Sequence, residues 1–189
     1  MTATKITPGL ITTLVGATGL PASAGYEHLS TTTASGAATY VFETMETGYD
    51  YSFYGRDIIP GTDAQEGYFQ LGVAGPSYSN SGYLNNSVRS TTGSLNGRQD
   101  TTHITGSQSS SGNATNERTF NGIELFDPAT ASSFTSWRMW GTQELSDGTH
   151  QCISGSGFFP TDVAHTCIKF IFNSGTLSGV FKAYRRPSA

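Results

Sequence analysis

The chain has 189 residues, a formal net charge of −4 and 13% charged residues, about half the charged fraction of a typical globular protein. This length supports one domain with a buried core. The sequence contains no basic run, which argues against the cationic face that nucleic-acid binding requires. No stretch approaches the roughly 18 consecutive apolar residues of a membrane-spanning helix.

Residues 1–25 are poor in charge and mildly apolar. Their start lacks the charged region and apolar segment of a signal peptide, so we expect the protein to be made and kept in a cytoplasm. Aliphatic side chains left in water cost about 25 cal/mol per Å² of exposed surface. We therefore predict an extended N-terminal arm that docks on its own domain or on a neighbouring subunit, with a disordered tail as the alternative. The candidate partner-binding residues of the arm are Ile6, Leu10, Ile11 and Leu14.

Residues 26–73 show the alternation of side chains at every second position that is typical of β-strands. In one predicted strand, Tyr51 and Phe53 share a face, and Ser52 and Tyr54 share the opposite face. Turn residues separate such strands at intervals of about 8–12 residues, as in antiparallel hairpins. The predicted strands of this region cover residues 40–45, 49–54 and 68–73.

Residues 74–119 are rich in Ser, Thr, Asn and Gly, and their apolar residues are scattered. We predict two short strands here, around residues 83–91 and 103–107. The rest is expected to form long exposed connections on one side of the domain, where binding functions are often located.

The strand pattern returns between residues 120 and 184. Near the end of the chain, two alternating segments flank Asn173-Ser174-Gly175, whose residues tolerate the backbone angles of a tight turn. We therefore predict a closing hairpin over residues 167–184, with its first strand in the interior of a sheet. The residues expected in the core here are Phe170, Phe172 and Phe181. The other predicted strands lie around residues 120–126, 134–140, 150–156 and 164–172.

These patterns predict an all-β fold, an antiparallel two-sheet sandwich that is jelly-roll-like and contains about eight to ten strands. Residues 26–189 would form this single β-sandwich domain, and residues 1–25 the arm. No helix of three turns is predicted. Edge strands usually carry lysines that block pairing with other chains, but this sequence has only Lys5, Lys169 and Lys182. We therefore expect the sheet edges to be closed by the fold or by an oligomer.

A His-x-Cys pattern occurs twice, as His150-Gln151-Cys152 and His165-Thr166-Cys167. If the two strands paired, the four side chains would cluster. Two histidines and two cysteines can complete a tetrahedral zinc site, and two close cysteines can form a disulfide. Small buried thiols are the third alternative, and we predict no bound metal and no cofactor.

Two further groups of residues contain side chains used in calcium sites or in nucleophilic catalysis, but they lack the sequence pattern that such sites require. Asp57, Asp63 and Glu66 supply oxygen ligands suited to calcium, but without the spacing of an EF-hand loop. The alternative for these carboxylates is that they are solvated turn residues. A nucleophile elbow needs a strand followed by a helix, and the partial match around Ser156 has no predicted helix after it. We therefore expect a protein that is not an enzyme.

Exposed aromatic side chains stack on sugars or fill pockets of a protein partner. Trp137 and Trp140 lie on opposite faces of a predicted strand, and we assign Trp137 to the core. The candidate ligand-facing residues are Tyr78, Tyr83 and Trp140.

Three segments carry a resemblance to a known class of protein: residues 48–63, residues 121–128 and the closing segment 167–184. The last includes Asn173-Ser174-Gly175 and Gly179-Val180-Phe181-Lys182-Ala183-Tyr184. Together they resemble the small β-sandwich virion structural proteins of tailed bacteriophages. Such proteins occur as capsid decoration (cement) proteins and as modules of tail fibres and tail tips.

The resemblance implies a non-enzymatic virion structural protein that is assembled in the host cytoplasm. The expectation is a capsid decoration protein, a homotrimer that binds the major capsid protein and stabilises the assembled shell. The arm together with Arg185 and Arg186 would make those contacts. The alternative is a tail-fibre or tail-tip module that presents residues 74–119 to a host surface glycan. A hydrolase acting on host polysaccharide is a third possibility.

Overall fold

A computed structural model describes residues 25–73, 77–91, 94–107 and 111–188. Within these ranges the chain forms thirteen β-strands and no helix. The described residues therefore contain no helix that could cross a membrane. In chain order the strands are β1 (Glu27–Ala37), β2 (Tyr40–Phe42), β3 (Tyr49–Pro60), β4 (Gly67–Val73), β5 (Ser77–Tyr78), β6 (Leu84–Thr91), β7 (Ser94–Asp100), β8 (Ile104–Thr105), β9 (Thr119–Phe126), β10 (Thr135–Glu144), β11 (His150–Phe159), β12 (Cys167–Phe172) and β13 (Leu177–Pro187).

The strands form two antiparallel sheets packed face to face. The larger sheet has eight strands in the order β1-β13-β3-β9-β10-β11-β6-β7, and the smaller has five, in which β2-β12-β4-β5 run in order and β8 also pairs with β4. The predicted all-β antiparallel sandwich is therefore confirmed. Most pairs of strands that follow one another in the chain lie in different sheets, as in a jelly roll. The exception with most strands is β9, β10 and β11, which are neighbours in the larger sheet.

The core lies between the sheets and is rich in aromatic rings. Tyr40 of β2 stacks on Phe181 of β13 with ring centroids 4.3 Å apart, and Phe170 of β12 contacts the same ring at 5.8 Å. These contacts join the two sheets directly. The side chains predicted for the core are buried, namely Trp137, Phe170, Phe172 and Phe181.

The predicted closing hairpin is wrong in its pairing. β12 pairs with β2 and β4 in the smaller sheet, whereas β13 pairs with β1 and β3 in the larger sheet. The turn itself exists, and Gly175 adopts a φ of 79°, but it carries the chain from one sheet to the other. Because Phe172 and Phe181 are both buried, the crossover places an apolar face on each side of the core.

Residues 74–119 contain more regular structure than predicted. Within this region β6 and β7 form a hairpin that extends the larger sheet, with Thr91 opposite Ser94 at its end. The strands that the sequence pattern missed are β1, β5 and β7. Both β1 and β7 lie at the edges of the larger sheet, and neither pairs with a further strand in the described ranges. The expected closure of these edges by the fold is therefore not seen there.

Candidate functional site

The outer face of the larger sheet, opposite the core, carries a row of aromatic side chains. Strand register places Lys182 of β13, Tyr54 of β3, Gly122 of β9 and Trp140 of β10 side by side across four adjacent strands. Tyr184 lies two residues along β13 on the same face. The three aromatic residues are half-buried, so each keeps part of its ring surface in contact with solvent.

The rings hold one another in place through edge-to-face contacts. Tyr54 lies between Trp140 and Tyr184, with centroid distances of 5.9 and 5.7 Å. His28 of the edge strand β1 contacts Tyr184 at 5.2 Å. Such pairs contribute about 0.5–1.5 kcal/mol beyond the burial of their surface. The rings therefore form a continuous surface that is ordered before any ligand arrives.

Gly122 explains why Trp140 can lie against the sheet. A Cβ atom at Gly122 would be 2.7 Å from Cε2 and Cζ2 of Trp140, closer than carbon atoms can approach. The indole therefore occupies the space that a side chain on β9 would fill. The glycine was visible in the sequence, but its role depends on the register between β9 and β10, which the sequence pattern does not reveal.

Beside these rings lies a shallow open groove of about 230 Å³, lined by Tyr26, Tyr54, Lys182 and Tyr184. We call these four residues together with Trp140 the aromatic groove. Tyr26 is 40% exposed and precedes β1. Its ring lies 5.2 Å from the guanidinium carbon of Arg186, a cation–π contact that fixes its position.

A buried carboxylate lies next to the aromatic groove. Glu124 is 5% exposed; it accepts hydrogen bonds from the Tyr26 hydroxyl at 2.7 Å and from Ser52 at 3.5 Å, and it pairs with Arg138. Burial raises the pKa of Glu124, but the hydrogen bonds from Arg138 and Tyr26 outweigh burial and hold this pKa below its usual range. Glu124 is therefore ionised at neutral pH and acts as a hydrogen-bond acceptor.

The structure distributes the three predicted ligand-facing residues over three environments. Trp140 belongs to the aromatic groove. Tyr78 lies on the smaller sheet, where Lys169 Nζ is 4.3 Å from its ring centroid. Tyr83 is fully buried and its hydroxyl accepts a hydrogen bond from the Leu71 backbone N–H at 2.8 Å. The expectation that Tyr83 faces a ligand is therefore corrected, because its ring packs in the core against Trp137 and Phe159.

The predicted partner-binding residues divide between two parts of the chain. Ile6, Leu10, Ile11 and Leu14 lie outside the described residues. Arg185 bonds Glu27 and Glu46, each at 2.8 Å, and Arg186 bonds Asp50 at 3.2 Å. Both arginines therefore bind carboxylates of the same chain and tie β13 to the segments beside it.

The two His-x-Cys segments do not come together. His150 and Cys152 lie in β11 of the larger sheet, whereas Cys167 begins β12 of the smaller sheet. Both cysteines are free, with Cys152 exposed and Cys167 buried. The proposed clustering is wrong because β11 pairs with β10 and β6.

The carboxylates considered for calcium also have separate partners. Asp57 faces Arg118 at 3.6 Å, Glu66 pairs with Arg98, and Asp63 accepts a hydrogen bond from the backbone of Asn113 at 3.3 Å. In the described ranges no group of three or more His, Cys, Asp or Glu side chains could hold a metal ion.

No family model, no curated protein and no solved structure matches this chain.

Proposed function

We propose that this protein is a non-enzymatic carbohydrate-binding module and that the aromatic groove is its binding site. In line with the resemblance to tailed-phage virion proteins, it would act on a tail fibre or tail tip as a receptor-binding module for a host surface glycan. The observation that carries the proposal is the ordered row of Tyr54, Trp140 and Tyr184 on a face that is open to solvent.

The chemistry of the aromatic groove suits a sugar ring. A pyranose presents apolar C–H groups on its faces, which pack on aromatic rings, and hydroxyl groups around its rim. Ligand sites typically combine aromatic walls with a small number of fixed polar groups. Here the phenol hydroxyls of Tyr26, Tyr54 and Tyr184 and the charged ends of Lys182 and Arg138 supply those polar groups.

This site differs in position from the surface expected for glycan binding. Residues 74–119 were expected to present the ligand-binding surface. The aromatic groove is instead built from β3, β10 and β13 and from Tyr26, with Gly122 of β9 beneath Trp140. Strands hold side chains more rigidly than loops do, and a rigid first contact layer lowers the entropy lost on binding.

Glycan-array binding by the wild-type protein and by two alanine variants tests the proposal. We expect Trp140→Ala to weaken glycan binding at least tenfold, which corresponds to about 1.4 kcal/mol. Phe158→Ala is the matched control, because Phe158 is a partly exposed ring (39%) on the same outer face but in β11. Array binding that is absent, or equally weakened by both variants, would contradict the proposal. Release of sugar from the bound glycan would show turnover and contradict the non-enzymatic part.

Capsid decoration stays a prediction, and one observation favours it as the second candidate. Five exposed apolar side chains lie at the β7 side of the larger sheet or next to it, which is a typical feature of protein–protein contact surfaces. They are Leu84, Val88, Leu95, Phe134 and Phe158. The partner at this surface would be another copy of this chain, within a homotrimer, or the major capsid protein. Copy number in purified virions separates the two candidates: hundreds of copies favour decoration, and a few to a few dozen favour the tail.

A further inference from the structure

Two cations on the outer face of the larger sheet have no carboxylate partner in the described residues. Lys182 lines the aromatic groove, and Arg56 is exposed on β3. Lys182 lies directly opposite Tyr54, and Arg56 lies opposite Val180 in the next row of the same face. Such diagonal neighbours are about 7–8 Å apart, with their Cβ atoms somewhat closer, so one ligand group can contact both cations.

The carboxylates nearest to the aromatic groove are already neutralised. Glu124 pairs with Arg138, and Asp50 pairs with Arg186. Asp57, next to Arg56 in sequence, faces Arg118. Lys182 and Arg56 therefore leave a local excess of positive charge beside the groove, although the chain as a whole has a net charge of −4.

We propose that the aromatic groove selects an acidic carbohydrate, one that carries a carboxylate or a phosphate group. The sugar ring would pack on Tyr54 and Trp140, and its anionic group would contact Lys182 and Arg56. Hydrogen bonds between ionised groups are roughly twice as strong as neutral ones, so the anionic group would determine selectivity. This inference rests on the proposed carbohydrate-binding function.

The selectivity should depend on salt. Charges at an exposed site are screened over a Debye length of about 8 Å at physiological ionic strength. We expect acidic glycans to bind about tenfold more tightly than their neutral counterparts in dilute buffer. This ratio should fall toward one in 1 M salt, where the Debye length is about 3 Å. Binding of the neutral glycans, which depends on ring packing, should change little.

The experiment compares two pairs of probes by calorimetry in dilute buffer. The first pair is an oligogalacturonate and its carboxyl-reduced form, and the second is a phosphorylated mannan oligosaccharide and its unphosphorylated form. Preference for the acidic member of one pair only would identify the carboxylate or the phosphate as the recognised group. The double variant Lys182→Met/Arg56→Met should lose the preference for the acidic members. The single variant Arg56→Met, whose side chain lies outside the groove lining, should reduce the preference and keep the affinity for the neutral members.

Lys169→Met is the matched control, because it removes one positive charge from the smaller sheet, away from the aromatic groove. It should retain the preference for acidic probes.

Equal affinity of wild-type protein for acidic and neutral probes would overturn this inference alone, as would a preference that the double variant retains. Absence of binding to all four probes and to the glycan array would overturn the carbohydrate function as well. A urea-unfolding midpoint close to that of the wild type confirms that each variant is folded.

Discussion

Gly122 shows how one missing side chain positions another residue's ring. The Gly122→Ala substitution would place a methyl group 2.7 Å from the indole of Trp140, so the indole must move. We expect a changed near-ultraviolet circular dichroism signal and a loss of glycan binding comparable to that of Trp140→Ala. Thermal stability should fall only moderately, because Trp140 is half-buried and can swing toward solvent.

Gly97→Ala is the control for this substitution. Gly97 lies in the same row of the outer face, across β11 and β6, and a Cβ there meets nothing within 4 Å. Its near-ultraviolet spectrum and glycan binding should match those of the wild type. An unchanged spectrum in Gly122→Ala would show that Gly122 does not position Trp140.

His165 makes the stability of the protein depend on pH. It is fully buried, its Nδ1 lies 2.8 Å from the Thr135 hydroxyl, and its ring contacts Phe159 at 4.8 Å. Burial lowers the pKa of His165 from 6.5 to about 4. The unfolded chain therefore binds a proton at a higher pH than the folded chain does, and folding stability falls as the pH drops from about 6.5 toward 4.

This residue should contribute a loss of roughly 2–3 kcal/mol between pH 7 and pH 4, since one pKa unit corresponds to about 1.4 kcal/mol. Urea unfolding at a series of pH values measures this loss. His165→Phe keeps an aromatic ring in place and cannot titrate, so its stability should fall less over the same pH range. Parallel pH profiles for the two proteins would contradict the role of His165.

At the scale of elements, two turns contain a glycine with left-handed backbone. A side chain at either glycine would strain the backbone, and at the turn between β12 and β13 it would also collide with a neighbouring residue. Gly175 has a φ of +79°, and a Cβ there would be 2.8 Å from Oγ1 of Thr62. Gly148, between β10 and β11, has a φ of +78° and nothing within 4 Å of the same position. Left-handed backbone costs a residue with a side chain roughly 1 kcal/mol.

We therefore expect Gly148→Ala to lower the free energy of unfolding by about 1 kcal/mol. Gly175→Ala should lower it further, because the new methyl group also displaces Thr62. Chemical denaturation of both variants at pH 7 measures the difference. Equal losses would mean that the Thr62 side chain rotates away without cost.

Side-chain alternation located the strands that bury one face. Ile168, Phe170 and Phe172 mark β12, and Tyr51 and Phe53 mark β3, because each series faces the core. β1 and β7 were missed for the same reason: they are edge strands, most of their residues are exposed or half-exposed, and so no apolar series marks them. The pairing of β12 and β13 with different sheets depends on contacts between distant segments, which a local pattern does not contain.

The candidate site was predictable only in part. Trp140 was selected because it lies on the face of its strand opposite to the buried Trp137. That assignment follows from side-chain alternation within one strand and does not depend on which strands pair with it. Tyr54 was assigned to the face opposite the buried residues of its own strand, and the side-chain alternation of β13 places Tyr184 on the face opposite Phe181 and Ala183. Only the strand register brings these rings together with Trp140, and Tyr26 joins them through Glu124.

At the scale of the whole molecule, the arm is predicted to serve attachment and not folding. The two sheets and the core that the structure describes are formed by residues between 25 and 188. Deleting residues 1–20 should therefore leave the urea-unfolding midpoint unchanged and abolish attachment to virions. Co-sedimentation of the truncated and full-length proteins with virions lacking the protein measures attachment. Full occupancy by the truncated protein would contradict the role assigned to the arm.

The position of β13 has a consequence for the order in which the molecule can be assembled during synthesis. β13 lies between β1 and β3, and β1 has no other partner strand in the described residues. Among the described strands, β1 is therefore synthesised first and its partner β13 last, and no described strand can pair with β1 until residues 177–187 have been made. Until β13 has been made, the nascent chain lacks the described partner of β1 and exposes one open side of β3, and pairing with other chains is a hazard during this period. Completion of the larger sheet is a late, non-local step, and topologies of this kind fold slowly.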